Sequence, residues 1–551
     1  MKRNLVFLCI ALCLLISSTI AETSNLNIEA GMPVVDEPLD VTITVFAQGG
    51  AQDFKAENNW MCQYIDKYSG LNIEWMVVDS SSALERLSLM LNSGDMPDAI
   101  IGYSFSANDI VQYAVSDGLF YPINTLLEYA PTFNKYLEDN PAVKAAITTP
   151  DGNIYGFPAL PNLWSYKIRF FVNTKWLDNV GLKNPTTLDE LKEMLIAFRD
   201  KDANGNGDPT DEIPWAGSWN QGNSERALMF LAKGYVQDGT GNVAIDYNGN
   251  EPQIVYVPYE EGYKEFLIFM NDLWNEKLLD LDMFTQAETQ VQANVLEGKV
   301  GFCGQSAPYV YDPENQDDWI ALNALVDNIG DKPVYPGPST VYSMSRYAIN
   351  ADCDEKKAAA LAGLADFFYT LEGWGFATFG PEANTELDWN GTGHYYDVES
   401  NTIKYNMPDD MTSAWIHRIT NLTIYSNPGF NAEGYDPYRL KYAEEYPESA
   451  IGQQYKNGVV ARKDEIEQQQ AYSPYYVESV PSLFFSGEDM ARITELEIPL
   501  KDYVDSMEAK FITGEASIEN DYDTFIATLE SYGVKEYIDI YTKYYNDYKS
   551  R

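Results

Sequence analysis

The chain has 551 residues, 45% of them apolar and 14% aromatic, which excludes a disordered polypeptide and supplies cores for two large lobes or three domains. Lys and Arg total 37 against 83 Asp and Glu, a formal charge of -46 that repels a phosphate backbone and argues against nucleic acid as a partner. The 40 Tyr and 11 Trp instead suit a protein that lines a ligand cleft with rings.

The opening "MKRNLVFLCIALCLLISSTIA" has a positive start at Lys2 and Arg3, a short apolar run and small residues before Ala21. This pattern predicts a secretory signal over 1–21, removed after Ala21, and an extracellular or cell-envelope location with the mature protein peripheral to the membrane. Cys9 and Cys13 lie inside the apolar run, with Leu12 before Cys13, so no lipobox supports a lipid anchor. Cys62, Cys303 and Cys353 match no zinc spacing and are expected to be small buried apolar side chains.

"DVTITVFAQ" (40–48) alternates and predicts a strand; "DFKAENNWMCQYIDKYSG" predicts a helix closed by Gly70. "LNIEWMVVD" is a second strand, "SALERLSLMLNSGDMPD" a helix stopped by Gly94 and Pro97, and "AIIGY" a third strand. This β-α-β-α-β order predicts a parallel sheet with ligand beyond the strands' carboxyl ends, near Gln48, Asp79 and Tyr103. Further strands are expected at "YKIRFFVN" (166–173), "LEGKVGFCGQ" (296–305, with a close approach at glycine) and "VYSMSRYAIN" (341–350). Helices are expected over 187–198, 224–235, 260–279 and 354–373 and through most of the tail from Leu500.

The segments "LMLNSGDMPDAI", "DGNIYGFPAL", "FVNTKWLDNVGLKNPTTLDELKEMLIAFRDKDANGNGDPTDEIP", "FFYTLEGWGFATFGPEAN" and "AKFITGEASIEN" resemble extracellular solute-binding proteins of family 1. The likeness is to the lipoprotein-like sugar-binding branch, which is similar to the alginate-oligosaccharide binding proteins. The resemblance implies an α/β, two-lobed periplasmic-binding-protein-like (type II) fold with a hinge. It also implies a monomer that closes on a carbohydrate and delivers it to the permease subunits of an ABC importer. The lobes are expected over 22–165 plus 341–375 and over 166–340 plus 376–551, hinging near 165–172 and 337–347.

The loop "RDKDANGNGDPTDEIP" holds D-x-[DN]-x-[DN]-G in two overlapping registers, one starting at Asp200 and one at Asp202. Calcium takes about six to eight oxygens and accepts carboxylates and amides together, and glycine permits the sharp bend. The resemblance implies the second register, with Asp202, Asn204 and Asn206 by side chain, Asp208 by backbone, and Asp211 and Glu212 closing a structural Ca2+ site. The family's usual loop is one residue shorter before "DE".

Sugars bind flat rings together with amides, carboxylates or Arg. The candidate ligand residues are Gln48, Tyr103, Trp164, Arg169, Trp219, Tyr309, Arg346 and Trp389. Trp60, Trp176 and Trp274 sit at helical spacing with apolar partners and are expected in the core. There are only two histidines, and no nucleophile elbow, P-loop or H-E-x-x-H motif, so an enzyme is not expected. His394 is expected to be a loop or ligand contact. A peptide binder and a secreted polysaccharide-active enzyme remain the alternatives, since glycoside hydrolysis needs only two carboxylates.

Overall fold

A computed structural model describes residues 26, 31–47, 51, 55–160, 169–219, 225–237, 241–305, 308–327, 331–337, 340–341, 343–400, 402–408, 414–422, 429–430, 437–457 and 471–550. The expected signal segment, Gln48 and Trp164 lie outside these residues, as does the side chain of Tyr309. The chain divides into two units, Met1–Leu163 with Thr340–Ala461 and Trp164–Ser339 with Arg462–Arg551. Among the described residues no helix is long and apolar enough to cross a membrane.

The first unit is built on a six-stranded sheet. β1 (Leu39–Phe46) pairs in parallel with β2 (Leu71–Val78) and β3 (Ala99–Phe105), as the β-α-β-α-β order predicts. Beyond β3 the sheet turns mixed. The strand Ser343–Ile349 runs antiparallel to β3 and to β4 (Phe157–Leu160), and Gly429–Phe430 joins β4 in parallel. The inward residues of β1, Val41, Ile43 and Val45, are each 2% exposed or less. The helix after β1 starts only at Trp60, because the Asn59 side chain accepts from the Cys62 N–H and caps it there.

Residues 376–461 pack in the first unit, where the sequence predicts the second lobe. The aromatic helix Leu371–Phe379 explains the difference. Its Trp374 and Phe379 share a buried cluster with Ala443 and Ile451. The Trp60 indole donates to Asn390, the Tyr64 hydroxyl to Glu372 and the Asn59 amide to the Thr420 carbonyl. These bonds tie the early helix Trp60–Tyr68 to chain more than 300 residues later, a link with no local signature.

The second unit centres on β5 (Phe170–Asn173), β6 (Ile213–Ala216) and the strand Val300–Gly304, which runs parallel to β6 and antiparallel to β5. Trp319–Ala321 completes this sheet along β5. Gly301 makes the predicted close approach: a Cβ there would stand 2.4 Å from the Trp176 ring. The helices Glu261–Asn275, Gly487–Thr513, Ile518–Ser531 and Val534–Ser550 supply much of the core through Phe266, Leu500, Phe511, Phe525 and Tyr537. The helix Gly487–Thr513 runs through Pro499, so helical structure begins well before Leu500.

Candidate functional site

In the first unit, the carboxyl end of the parallel strands carries a ring cluster. Tyr103 meets Phe46 edge-on at 5.4 Å between centroids and Phe105 at 4.9 Å. Tyr103 is half-buried, and burial followed by the nearby Asp109 raises its phenol pKa. Ser106 then forms a capping box with Asp109 and opens a helical segment that continues as a π-helix over Ile110–Ser116, a rare form often found at functional sites. Arg346 lies on the adjoining strand Ser343–Ile349, at the shift in register between Ser345 and Tyr347, and is 7% exposed. Trp389 is half-buried, with the Lys67 ammonium 5.8 Å from its ring.

In the second unit, the carboxyl ends of β6 and Val300–Gly304 lie at the same edge of the sheet as the start of β5. Arg169 precedes β5, and its carbonyl accepts from the Gln305 N–H at 3.1 Å. Trp219 belongs to the core. It packs on Phe284, keeps 8% of its surface exposed and donates its indole N–H to Glu508 at 3.0 Å. Its polar and small neighbours Ser218 and Asn220 suggest a ligand face, whereas the acid that anchors it is 289 residues away.

Glu508 is the centre of a buried polar network that sequence spacing does not reveal. It is 0% exposed and also accepts from Arg226 Nε at 2.9 Å and from the Tyr263 hydroxyl at 2.7 Å. Arg226 is held further by Asp505 and Asn242. His394 is likewise interior and not a loop contact. It starts the strand His394–Asp397, is 4% exposed, and burial pushes its imidazole down to about 4.

Trp60 and Trp176 are core residues as expected, and Trp274 packs partly buried against the second unit's core. Cys62 and Cys303 are buried free thiols; Cys353 is half-buried, with its S–H against Asp98.

The acidic loop of the second unit follows the helix Leu188–Asp200, whose Thr187 cap accepts from the Glu190 N–H. Asp200 is engaged by Arg199 at 2.7 and 3.0 Å, while Asp202 Oδ2 accepts from the Gly207 N–H at 2.9 Å. Gly205 and Gly207, the sixth residues of the two registers, both have positive φ, +75° and +93°, whereas the bond from the Gly207 N–H links the first and sixth positions of the register that starts at Asp202. Asn204 and Asn206 donate to the two oxygens of Asp211, and Glu212 Oε1 accepts from the Ala203 N–H. Asp202 Oδ1 and Glu212 Oε2 are buried with no hydrogen-bond partner among the described residues, and burial raises the Glu212 pKa. Among the described residues no three His, Cys, Asp or Glu side chains gather as a metal site on their own. That holds for Asp202, Asp211 and Glu212 of the loop as well.

The sequence signature of the bacterial extracellular solute-binding proteins matches residues 51–372, more than half of the chain. The chain belongs to that family. This solute-binding protein is 27% identical over 503 residues to the fructooligosaccharide ABC transporter substrate-binding protein FusA of Streptococcus pneumoniae, covering 89% of this chain and 87% of FusA. The fold of FusA in complex with kestose matches with a TM-score of 0.69 at 23% identity, over 93% of this chain and 100% of that one. FusA is also known as an EF-hand mutant in complex with fructo-nystose. A solute-binding protein from Bifidobacterium longum infantis, associated with an ABC transporter and binding HMO, matches at a TM-score of 0.70 with 20% identity, over 93% and 99%. The alginate-binding protein AlgQ2 without calcium ion matches at 0.60 with 18% identity, over 94% and 100%. The two-lobed α/β fold of the family is therefore the fold of this chain.

Proposed function

We propose that this solute-binding protein captures a carbohydrate, an oligosaccharide, outside the cell and presents it to the membrane subunits of an ABC importer without cleaving it. The observation that carries this reading is the near full-length match to a fructooligosaccharide-binding protein. The local chemistry agrees with it. Tyr103, Arg346 and Trp389 in the first unit and Arg169 in the second are rings and guanidinium groups suited to sugar faces and hydroxyls. Trp164, Gln48 and Tyr309 join them on sequence grounds. Capture works by hinge closure, with the ligand favouring the closed state. The division between units falls at 163–164, 339–340 and 461–462, and the hinge is assigned to the segments around 165–172 and 337–347. The protein acts as a monomer at the cell envelope.

The acidic loop holds a structural Ca2+ through Asp202, Asn204, Asn206, Asp208, Asp211 and Glu212. The Asp202-to-Gly207 bond supports this ligand set, as do the two buried oxygens that lack a donor. The bound cation supplies folding free energy to the second unit and takes no part in solute chemistry.

A thermal-shift panel tests the reading: kestose, nystose, lacto-N-tetraose, alginate trisaccharide and a mixed peptide library. A rise in melting temperature with one sugar class alone, and recovery of that sugar unchanged after incubation, is the expected result. A rise with peptides alone, or consumption of the sugar, removes it. Tyr103→Ala should weaken the sugar about tenfold, the loss of roughly 1.4 kcal/mol expected for one ring contact, beside a lower ligand-free melting temperature from the lost packing on Phe46 and Phe105.

A further inference from the structure

One acid at the carboxyl end of β6 is left without a role by the contacts above. Glu225 opens the helix Glu225–Ala232 and is 1% exposed. Both of its carboxyl oxygens are buried and find no hydrogen-bond partner among the described residues; only its own backbone N–H approaches them. The carboxyl is pressed against the strand end, since a Cβ on Gly217 would stand 2.1 Å from Glu225 Oε1. Arg226, its neighbour in sequence, is committed to Glu508, Asp505 and Asn242. The other titratable groups that feel Glu225 are Glu288, Cys303 and Tyr311.

Carboxyl oxygens buried without donors are a costly arrangement, and such arrangements gather where a ligand completes them. In open α/β sheets that place is outside the carboxyl ends of the strands, where Gly217, Gly304 and Gln305 follow the parallel pair. Carbohydrate hydroxyls are donors in a fixed array. A carboxyl accepts them whether or not it is ionised, and in a water-poor setting each such bond counts for more.

We propose that Glu225 is a solute-contact residue of the second unit, accepting hydroxyl groups of the bound sugar and selecting for solutes that present them. The assignment rests on the carbohydrate reading. The test takes the sugar of the panel above that most raises the melting temperature and titrates it by calorimetry into the full chain and into Glu225→Gln and Glu225→Ala. Wild type should bind. Ala should lose at least tenfold in affinity, and Gln, which keeps one acceptor oxygen, three- to tenfold. The ligand-free melting temperature of Gln should equal or exceed that of wild type. Equal affinity in wild type and Gln overturns the assignment and leaves Glu225 a structural acid satisfied by internal water. If Ala does not fold, Gln alone decides. If no sugar binds wild type, the carbohydrate reading falls and the assignment with it, an outcome distinct from binding that the substitutions leave unchanged.

Discussion

Replacing Glu508 with Leu keeps the side chain's approximate volume and removes the acceptor for three buried donors, Trp219 Nε1, Arg226 Nε and the Tyr263 hydroxyl. Arg226 would keep Asp505 and Asn242, so its charge is not wholly abandoned. Breaking one side of a buried ion pair costs about 3–5 kcal/mol, and each stranded neutral donor about 1–3 kcal/mol. These costs overlap within one network, so we expect a total of about 4–5 kcal/mol. At roughly 2–4 °C per kcal/mol for a unit of this size, the second unit's transition should fall by about 8–20 °C in scanning calorimetry. Two units can melt separately, so the comparison is made on the transition that moves in the variant. The double variant Arg226→Met with Glu508→Leu should recover only the part of the loss that comes from the guanidinium, because Trp219 and Tyr263 still lack their acceptor. A drop under 2 °C in the single variant, or no recovery in the double, would refute this account of the network.

Three further outcomes follow from the same geometry. A calcium chelator should lower the melting temperature, and Asp202→Ala should lower it similarly while abolishing the chelator's effect; a protein indifferent to both has no cation in the loop. Burial pushes the Glu225 carboxyl up to about 8 from its ordinary 4.5, so folding favours the protonated form. Its contribution is fully present below pH 4.5 and is lost as pH rises through 8, a decline of roughly 5 kcal/mol that Glu225→Gln should flatten in urea titrations at pH 5, 7 and 9. Glu288, also raised by burial, leaves part of the slope in the variant. Gly301→Val should cost more than about 3 kcal/mol, because a branched Cβ drives into the Trp176 and Phe198 rings; near-normal denaturant midpoints would show that this strand can shift.

What the sequence makes legible is what local pattern decides. The alternation in the sequence of β1 and the helix stopped by Gly94 each follow from neighbours a few residues away, whereas the close approach at Gly301 is made to Trp176 and Phe198, far earlier in the chain. The acidic loop stands out for the same local reason, since Asp202, Asn204, Asn206 and Asp208 are consecutive alternates. Trp219 is misread because a Trp among small polar residues suits a cleft equally well, and its true anchor is set by tertiary packing. Glu225 at a helix start resembles an ordinary exposed first-turn acid, and only the fold buries it. The placement of 376–461 depends on bonds from Asn59, Trp60 and Tyr64 that no periodicity encodes.

The division of the chain has a consequence for synthesis. The second unit's interior needs Leu500, Phe511 and Phe525, and Tyr263 stacks on Phe525 at 5.9 Å, so the ring that completes its surroundings is translated 262 residues after it. A nascent polypeptide leaving the ribosome therefore cannot seal that half until its last helices emerge. Until then it offers chaperones and proteases a long exposed target, and deletions at the far terminus should cause the greatest loss of yield.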